Sequence, residues 1–208
     1  MLERMFRGKI SVFLSLVARK LVSIGVTANM ITLIGFCVNV LAAFFLATGR
    51  LVLAGVLILF GGTFDMLDGA AARAAPKSSE SGALLDSVVD RYSEGAVFLG
   101  ALIYFYVNEK LNGVVLVFAA MIGSILVSYV RARAEGLRIE CKVGFMQRPE
   151  RIAVLAFGTL MQGLVGNHFQ VVQSSGLVLI AVIAILAITS HITAVHRLVF
   201  SLCELSNR

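Results

Sequence analysis

All four aspartates of the chain, Asp65, Asp68, Asp86 and Asp90, fall in one short stretch. Asp65 and Asp68 are three residues apart and Asp86 and Asp90 four apart, so on helices each pair projects from a single face. Four carboxylates gathered together repel one another, and each costs about 2.5–3.5 kcal/mol near the middle of a membrane on an insertion scale. A positive group must therefore occupy the space between them. Carboxylate oxygens suit hard cations such as Mg2+, Mn2+ or Ca2+, and Mg2+ favours a few carboxylates completed by phosphate oxygens. The plainer reading is an Asp–Arg network fed by Arg73 and Arg91. The confinement of every aspartate to one hairpin argues against it.

The residues between the aspartates extend the phosphate reading. Gly69 follows Asp68 directly and, lacking a side chain, lets a ligand approach the backbone beside the acids. Arg73 lies one turn further and can grip a diphosphate with two parallel bonds. Ala72 and Gly82 keep the flanking helices close.

These side chains sit in a strongly apolar chain of 208 residues, 59% hydrophobic and 14% charged, far from the balance of soluble domains. At about 20 residues per span, membrane helices are expected over roughly 30–49, 52–73, 82–107, 112–134, 148–167 and 176–197. The stretch from Ile10 to Val26 is broken by Arg19 and Lys20 and lacks a cleavage site for a signal peptide, so it reads as an amphipathic helix on the membrane surface. The expected fold is all-α: a polytopic membrane protein of six transmembrane helices plus an N-terminal amphipathic juxtamembrane helix. It forms one domain over 1–208, with 1–27 the surface helix and 28–208 the core. Ala75-Pro76-Lys77-Ser78-Ser79 and Asn112-Gly113 are loop signals at these boundaries. A short loop makes the two acidic helices antiparallel neighbours. Glycines such as Gly61, Gly62, Gly95 and Gly100 read as close helix contacts.

Charge sets the orientation. Arg4, Arg7, Lys9, Arg19, Lys20, Arg73, Lys77, Arg91, the cations from Arg131 to Arg151, Arg197 and Arg208 fall on one side, leaving Arg50 and Lys110 on the other. By the positive-inside rule the first side, with both termini and the aspartates, faces the cytoplasm of a cell-membrane protein. The formal charge of +6 then marks anionic lipid rather than nucleic acid. Cys37, Cys141 and Cys203 are too scattered for disulfides or zinc.

The segment Asp65-Met-Leu-Asp68-Gly69-Ala-Ala-Ala72-Arg73, then eight residues, then Gly82-Ala-Leu-Leu-Asp86-Ser-Val-Val-Asp90 resembles the signature of the CDP-alcohol phosphotransferase family, with all eight specified positions filled. The resemblance implies transfer of a phosphatidyl-type group from a CDP-linked lipid to an alcohol, with release of CMP. It implies two Mg2+ or Mn2+ ions held by Asp65, Asp68, Asp86 and Asp90, with Asp90 also the catalytic base. Gly69 and Arg73 would bind the CDP group, helped by Ser79. Val26-Thr27-Ala28-Asn29-Met30-Ile31-Thr32 is similar to the family's entry to its first helix, with Ala28 where proline is usual, and adds Asn29 and Thr32 to the nucleotide side. Asn29 has a plainer reading as a helix cap.

A second cationic region runs from Arg131-Ala-Arg133-Ala-Glu135 to Gln147-Arg148-Pro-Glu-Arg151, with Arg197 on the last helix. Arg138 and Lys142 read as ordinary cytoplasmic-edge charges. Arg131, Arg133, Arg151 and Arg197 read as a site, because several arginines facing one cavity attract a phosphomonoester. The arrangement is similar to the phosphatidylinositol phosphate synthase subgroup and its archaeal-lipid counterpart, which implies a phosphorylated polyol acceptor, inositol phosphate first. Glycerol 3-phosphate is the alternative acceptor. An intramembrane prenyltransferase would need a second aspartate motif after Asp90, where none occurs, and a metal transporter has no need of Gly69, Arg73 or the arginines. His191 and His196 read as packing residues. The family is commonly dimeric, so a homodimer in the lipid bilayer is expected, with no residue marking its interface.

Overall fold

Thr27 opens the first long helix by accepting the Met30 amide on its Oγ1 at 3.3 Å, a side-chain cap that leaves Asn29 free of that duty. The computed structural model describes residues 14–74, 79–168 and 176–207, all helical apart from short connections and the loop over 137–147. The expected loop cations of the first residues (Arg4, Arg7, Lys9), most of the Ala75–Ser79 loop with Lys77, and Arg208 lie outside the described residues. The helices are α1 (14–23), α2 (Ala28–Ala47), α3 (Leu51–Ala74), α4 (Glu80–Val107), α5 (Leu111–Gly136), α6 (Arg148–His168) and α7 (Leu177–Ser206).

Among the described residues α2, α3, α5 and α7 are long and apolar enough to cross a membrane. Helices α4 and α6, of 28 and 21 residues, are less apolar. The first half of α4 carries Asp86, Asp90, Arg91 and Glu94, and α6 starts on Arg148, Glu150 and Arg151. Outward-facing Phe44, Phe60, Phe118 and Ile188 are each more than half exposed, a greasy surface suited to hydrocarbon.

The packing order closes a ring. Helix α2 packs on α3 and α4, α4 on α5, α5 on α7, α7 on α6, and α6 back on α3. Leu46, Ile58, Phe98, Leu155 and Leu186 fill the shared core. Helices α2 and α4 cross closely, where a Cβ on Gly100 would lie 2.5 Å from the Ala43 carbonyl oxygen. Gly61 likewise abuts Asn39, whereas Gly95 faces open space and is not a contact glycine.

One expectation is corrected by this order. The acidic helices α3 and α4 are joined by a short loop, yet each packs chiefly on α2 rather than along the other. A short connection ties two helices only at one end, and the acids at that end repel, so α2 wedges between them while a cavity opens at the loop side. Helix α1 docks on the same end: Ala18 is fully buried in a cluster with Ile31, Ala70 and Ala71.

Candidate active site

A cavity of about 500 Å3 lies where the start of α2, the end of α3 and the start of α4 meet, with Val22 of α1 also lining it. Asn29, Thr32, Asp68, Gly69, Ser79, Gly82 and Asp86 all line it, so residues from the entry segment and both acidic helices share one wall. Each is held by its own element. Ser79 caps α4, accepting the Gly82 amide at 3.2 Å and lying 2.5 Å from the Ser81 hydroxyl. Asn29 is the second residue of α2, with its Oδ1 3.2 Å from where a Cβ on Gly82 would stand.

Asp68 is 4% exposed and accepts the Thr32 hydroxyl at 2.8 Å, a bond that ties α3 to α2 across the wall. A Cβ on Gly69 would meet only the Arg73 Nη1, at 3.4 Å, so the space over this glycine is open except for a guanidinium folded back from the next turn. Arg73 itself is exposed. This is the cradle a phosphate can enter without displacing anything but a flexible side chain.

Asp65 and Asp90 face the ring interior, where Arg148 meets both. Its Nη1 lies 2.7 Å from Asp65 Oδ2 and 2.8 Å from Asp90 Oδ1. Arg91 stands 3.7 Å from Asp90 but spends its strongest bond on the Ser87 carbonyl at 2.6 Å. Asp65 and Asp86 each lie within electrostatic range of both Asp68 and Asp90, so the four carboxylates form one field. Among the described residues, however, no three acidic, histidine or cysteine side chains converge closely enough to enclose a metal ion. Arg148 instead occupies the point shared by Asp65 and Asp90. That point is itself the test of fit. Two carboxylate oxygens from different helices meet one positive nitrogen, and an all-oxygen donor set suits Mg2+ or Mn2+.

The second cationic group divides. Arg151 is 1% exposed, with Nε and Nη2 on the two Glu94 oxygens at 2.9 and 3.0 Å and Nη1 on the Met146 carbonyl at 3.2 Å. Arg197 is 3% exposed and holds the 137–147 loop, donating Nε to the Val143 carbonyl and Nη1 to the Val127 carbonyl, both at 2.8 Å. Arg131 is exposed and paired with Glu135 at 2.8 Å, and Arg133 is exposed. Arg131 and Arg151 both act electrostatically on Arg197, so these three share a neighbourhood. His191 places Nε2 3.2 Å from the Ala119 carbonyl, as a packing residue would.

Two residues central to this geometry, Arg148 and Glu94, were not among the sequence candidates. A signal existed: Arg148 and Arg151, three apart, form a cationic face that complements Asp90 and Glu94, four apart.

A helical membrane protein with an acid-lined cavity beside a glycine cradle is the class defined so far, and sequence comparison gives its family. A model of the CDP-alcohol phosphatidyltransferase family matches residues 25–202. The chain belongs to that family and is a transferase of phospholipid synthesis. It is 34% identical over 195 residues to the archaetidylinositol phosphate synthase of Methanothermobacter thermautotrophicus, covering 94% of this chain and 91% of that protein. Crystal structures of Mycobacterium tuberculosis phosphatidylinositol phosphate synthase are also similar. The one with CDP-DAG bound has a TM-score of 0.79 at 31% identity and covers 90% of this chain and 92% of that one. The one in complex with manganese and citrate has the same score and identity, covering 90% and 88%.

Proposed function

We propose that this chain transfers a phosphatidyl-type group from a CDP-linked lipid to a hydroxyl of inositol phosphate, releasing CMP, in a reaction that needs divalent metal. The observation that carries the reading is the single cavity shared by Asn29, Thr32, Gly69, Ser79, Asp68 and Asp86. A diphosphate laid over Gly69 lies beside the carboxylates and within reach of Arg73. Kinship with an archaetidylinositol phosphate synthase, and with a phosphatidylinositol phosphate synthase structure that has CDP-DAG bound, supports donor and acceptor alike.

In this reading Asp65, Asp68, Asp86 and Asp90 hold two ions, Mg2+ or Mn2+. When bound, these would neutralise the diphosphate and the departing CMP. Asn29, Thr32, Gly69, Arg73 and Ser79 seat the nucleotide. Thr32 keeps the Asp68 carboxylate turned to the cavity, and Arg73 adds charge-assisted bonds to phosphate. Asp90 accepts the proton of the acceptor hydroxyl as the new ester bond forms, which requires proximity more than high basicity. Arg131, Arg133, Arg151 and Arg197 bind the acceptor phosphate. The exposed pair meets it first, and the buried pair, fixed by Glu94 and by the Met146, Val143 and Val127 carbonyls, stands behind it as fixed positive charge.

The same reading takes α2 to α7 as six membrane spans of one domain, with α1 on the cytoplasmic surface. Helices α4 and α6 cross by turning their polar residues into the ring. The site and both termini face the cytoplasm, as the cation asymmetry favours, and the protein works as a homodimer.

The test is CMP release by the purified full chain with CDP-diacylglycerol, Mg2+ or Mn2+, and a panel of radiolabelled inositol phosphate, free inositol and glycerol 3-phosphate. Turnover with inositol phosphate is expected. Preference for glycerol 3-phosphate would make the chain a phosphatidylglycerophosphate synthase instead, and silence with every acceptor would overturn the transfer reading.

A further inference from the structure

The start of α6 sets Arg148 and Arg151 against α4, and the two arginines bind in different ways. Arg151 uses its guanidinium as a fork, two nitrogens on the two oxygens of Glu94. That is the arrangement of a structural ion pair. Arg148 uses one nitrogen, Nη1, for two carboxylates on two helices, at 2.7 Å from Asp65 and 2.8 Å from Asp90. Its Nε is buried with no hydrogen-bond partner. An arginine placed only to brace the helices would employ that donor, since leaving it unmet forfeits stability. Arg148 thus acts as a point charge at the place where two acids converge, the role a metal ion takes.

We propose that Arg148 and a divalent cation are exchangeable counter-charges for Asp65 and Asp90, so that cation binding releases the Arg148 guanidinium from both carboxylates. The inference rests on the reading that these aspartates hold divalent metal. Its chemistry is simple competition: Asp65 Oδ2 and Asp90 Oδ1, the oxygens Arg148 engages, are those a cation between α3 and α4 needs. Nη1 and a metal ion cannot share one point. Arg148 therefore keeps the acids paired at low metal concentration and sets a threshold for loading. It is a positioning residue, acting through Asp65 and Asp90.

The experiment is Mn2+ binding to the purified full chain in detergent, read from the electron paramagnetic resonance signal of free Mn2+. Wild type is expected to bind, and Arg148→Gln to bind about tenfold tighter, equivalent to about 1.4 kcal/mol. The rise in melting temperature on adding Mn2+ is expected to be larger in Arg148→Gln than in wild type. Arg148→Lys keeps the charge on a more strongly hydrated and more flexible head, which competes less well for the two carboxylates, and is expected to bind about threefold tighter than wild type; it carries the test if the glutamine variant is not monodisperse. Equal or weaker Mn2+ binding by the folded variants overturns the exchange, weaker binding meaning that Arg148 instead holds the carboxylates in ligating position. Absence of Mn2+ binding in the wild type is a different failure, that of the metal reading on which the exchange rests.

Discussion

Arg151 and Glu94 meet inside the ring through two parallel bonds of 2.9 and 3.0 Å, with side chains 1% and 5% exposed. The pair joins α6 to α4, as Arg148 and Asp90 also do. Removing one partner strands a charge away from water. Arg151→Ala and Glu94→Ala are each expected to cost about 3–5 kcal/mol, whereas Arg151→Met with Glu94→Leu together are expected to be far milder. Thermal unfolding in detergent compares the three, and two silent single variants would remove the pair from the list of structural ties.

Thr32 donates to Asp68 at 2.8 Å, and Asp68 is nearly sealed from solvent. Thr32→Val keeps the shape and deletes the donor, which is expected to cost about 1.5–3 kcal/mol of stability. Mn2+ affinity is expected to fall as well, because the Asp68 carboxylate loses its orientation, while Thr32→Ser restores both. Parallel melting and Mn2+ titration of the three proteins check this.

Gly69→Ala separates folding from binding. The added Cβ meets only the flexible end of Arg73, so the melting temperature is expected to stay close to wild type. The methyl group stands where a diphosphate must approach, so KM for the CDP-lipid is expected to rise severalfold with KM for the acceptor little changed. A shift confined to the acceptor would remove Gly69 from the nucleotide side.

Asp90→Asn removes the proposed proton acceptor together with one partner of Arg148. CMP release is expected to fall at least a hundredfold, within the range general-base contributions span, while binding of cytidine nucleotide persists in part. Measured turnover near that of wild type would exclude Asp90 as the base.

Much of the architecture could be read from local sequence because membrane helices announce their own length. The expected span 52–73 is Leu51–Ala74 in the structure, and 148–167 is Arg148–His168. The last helix overran its estimate most, running on to Ser206 through Leu198, Val199, Phe200 and Leu202, because the expected span stops at Arg197. That Asn29, Thr32, Gly69 and Ser79 would lie together, as they do around one cavity, was legible because the family resemblance already grouped their segments. What spacing cannot reveal is which long-range partner answers a charge. Arg148 lies in the second cationic region with no role that spacing assigns it, Glu94 stands out by nothing local, and their importance arises only when α6 lands on α4. The wedge of α2 between the acidic helices was hidden for the same reason: a short loop fixes one end of a helix pair and is silent about the rest.

That wedge makes α2 a spacer gauge. Two acidic pairs borne on separate rods are held apart by the girth of a third, and its fit is decided at Ala43 against Gly100 and at Asn39 against Gly61, the second of these one helical turn from Asp65. Bulk added at either crossing would therefore retune the catalytic gap by leverage, with the chemistry's own side chains left intact.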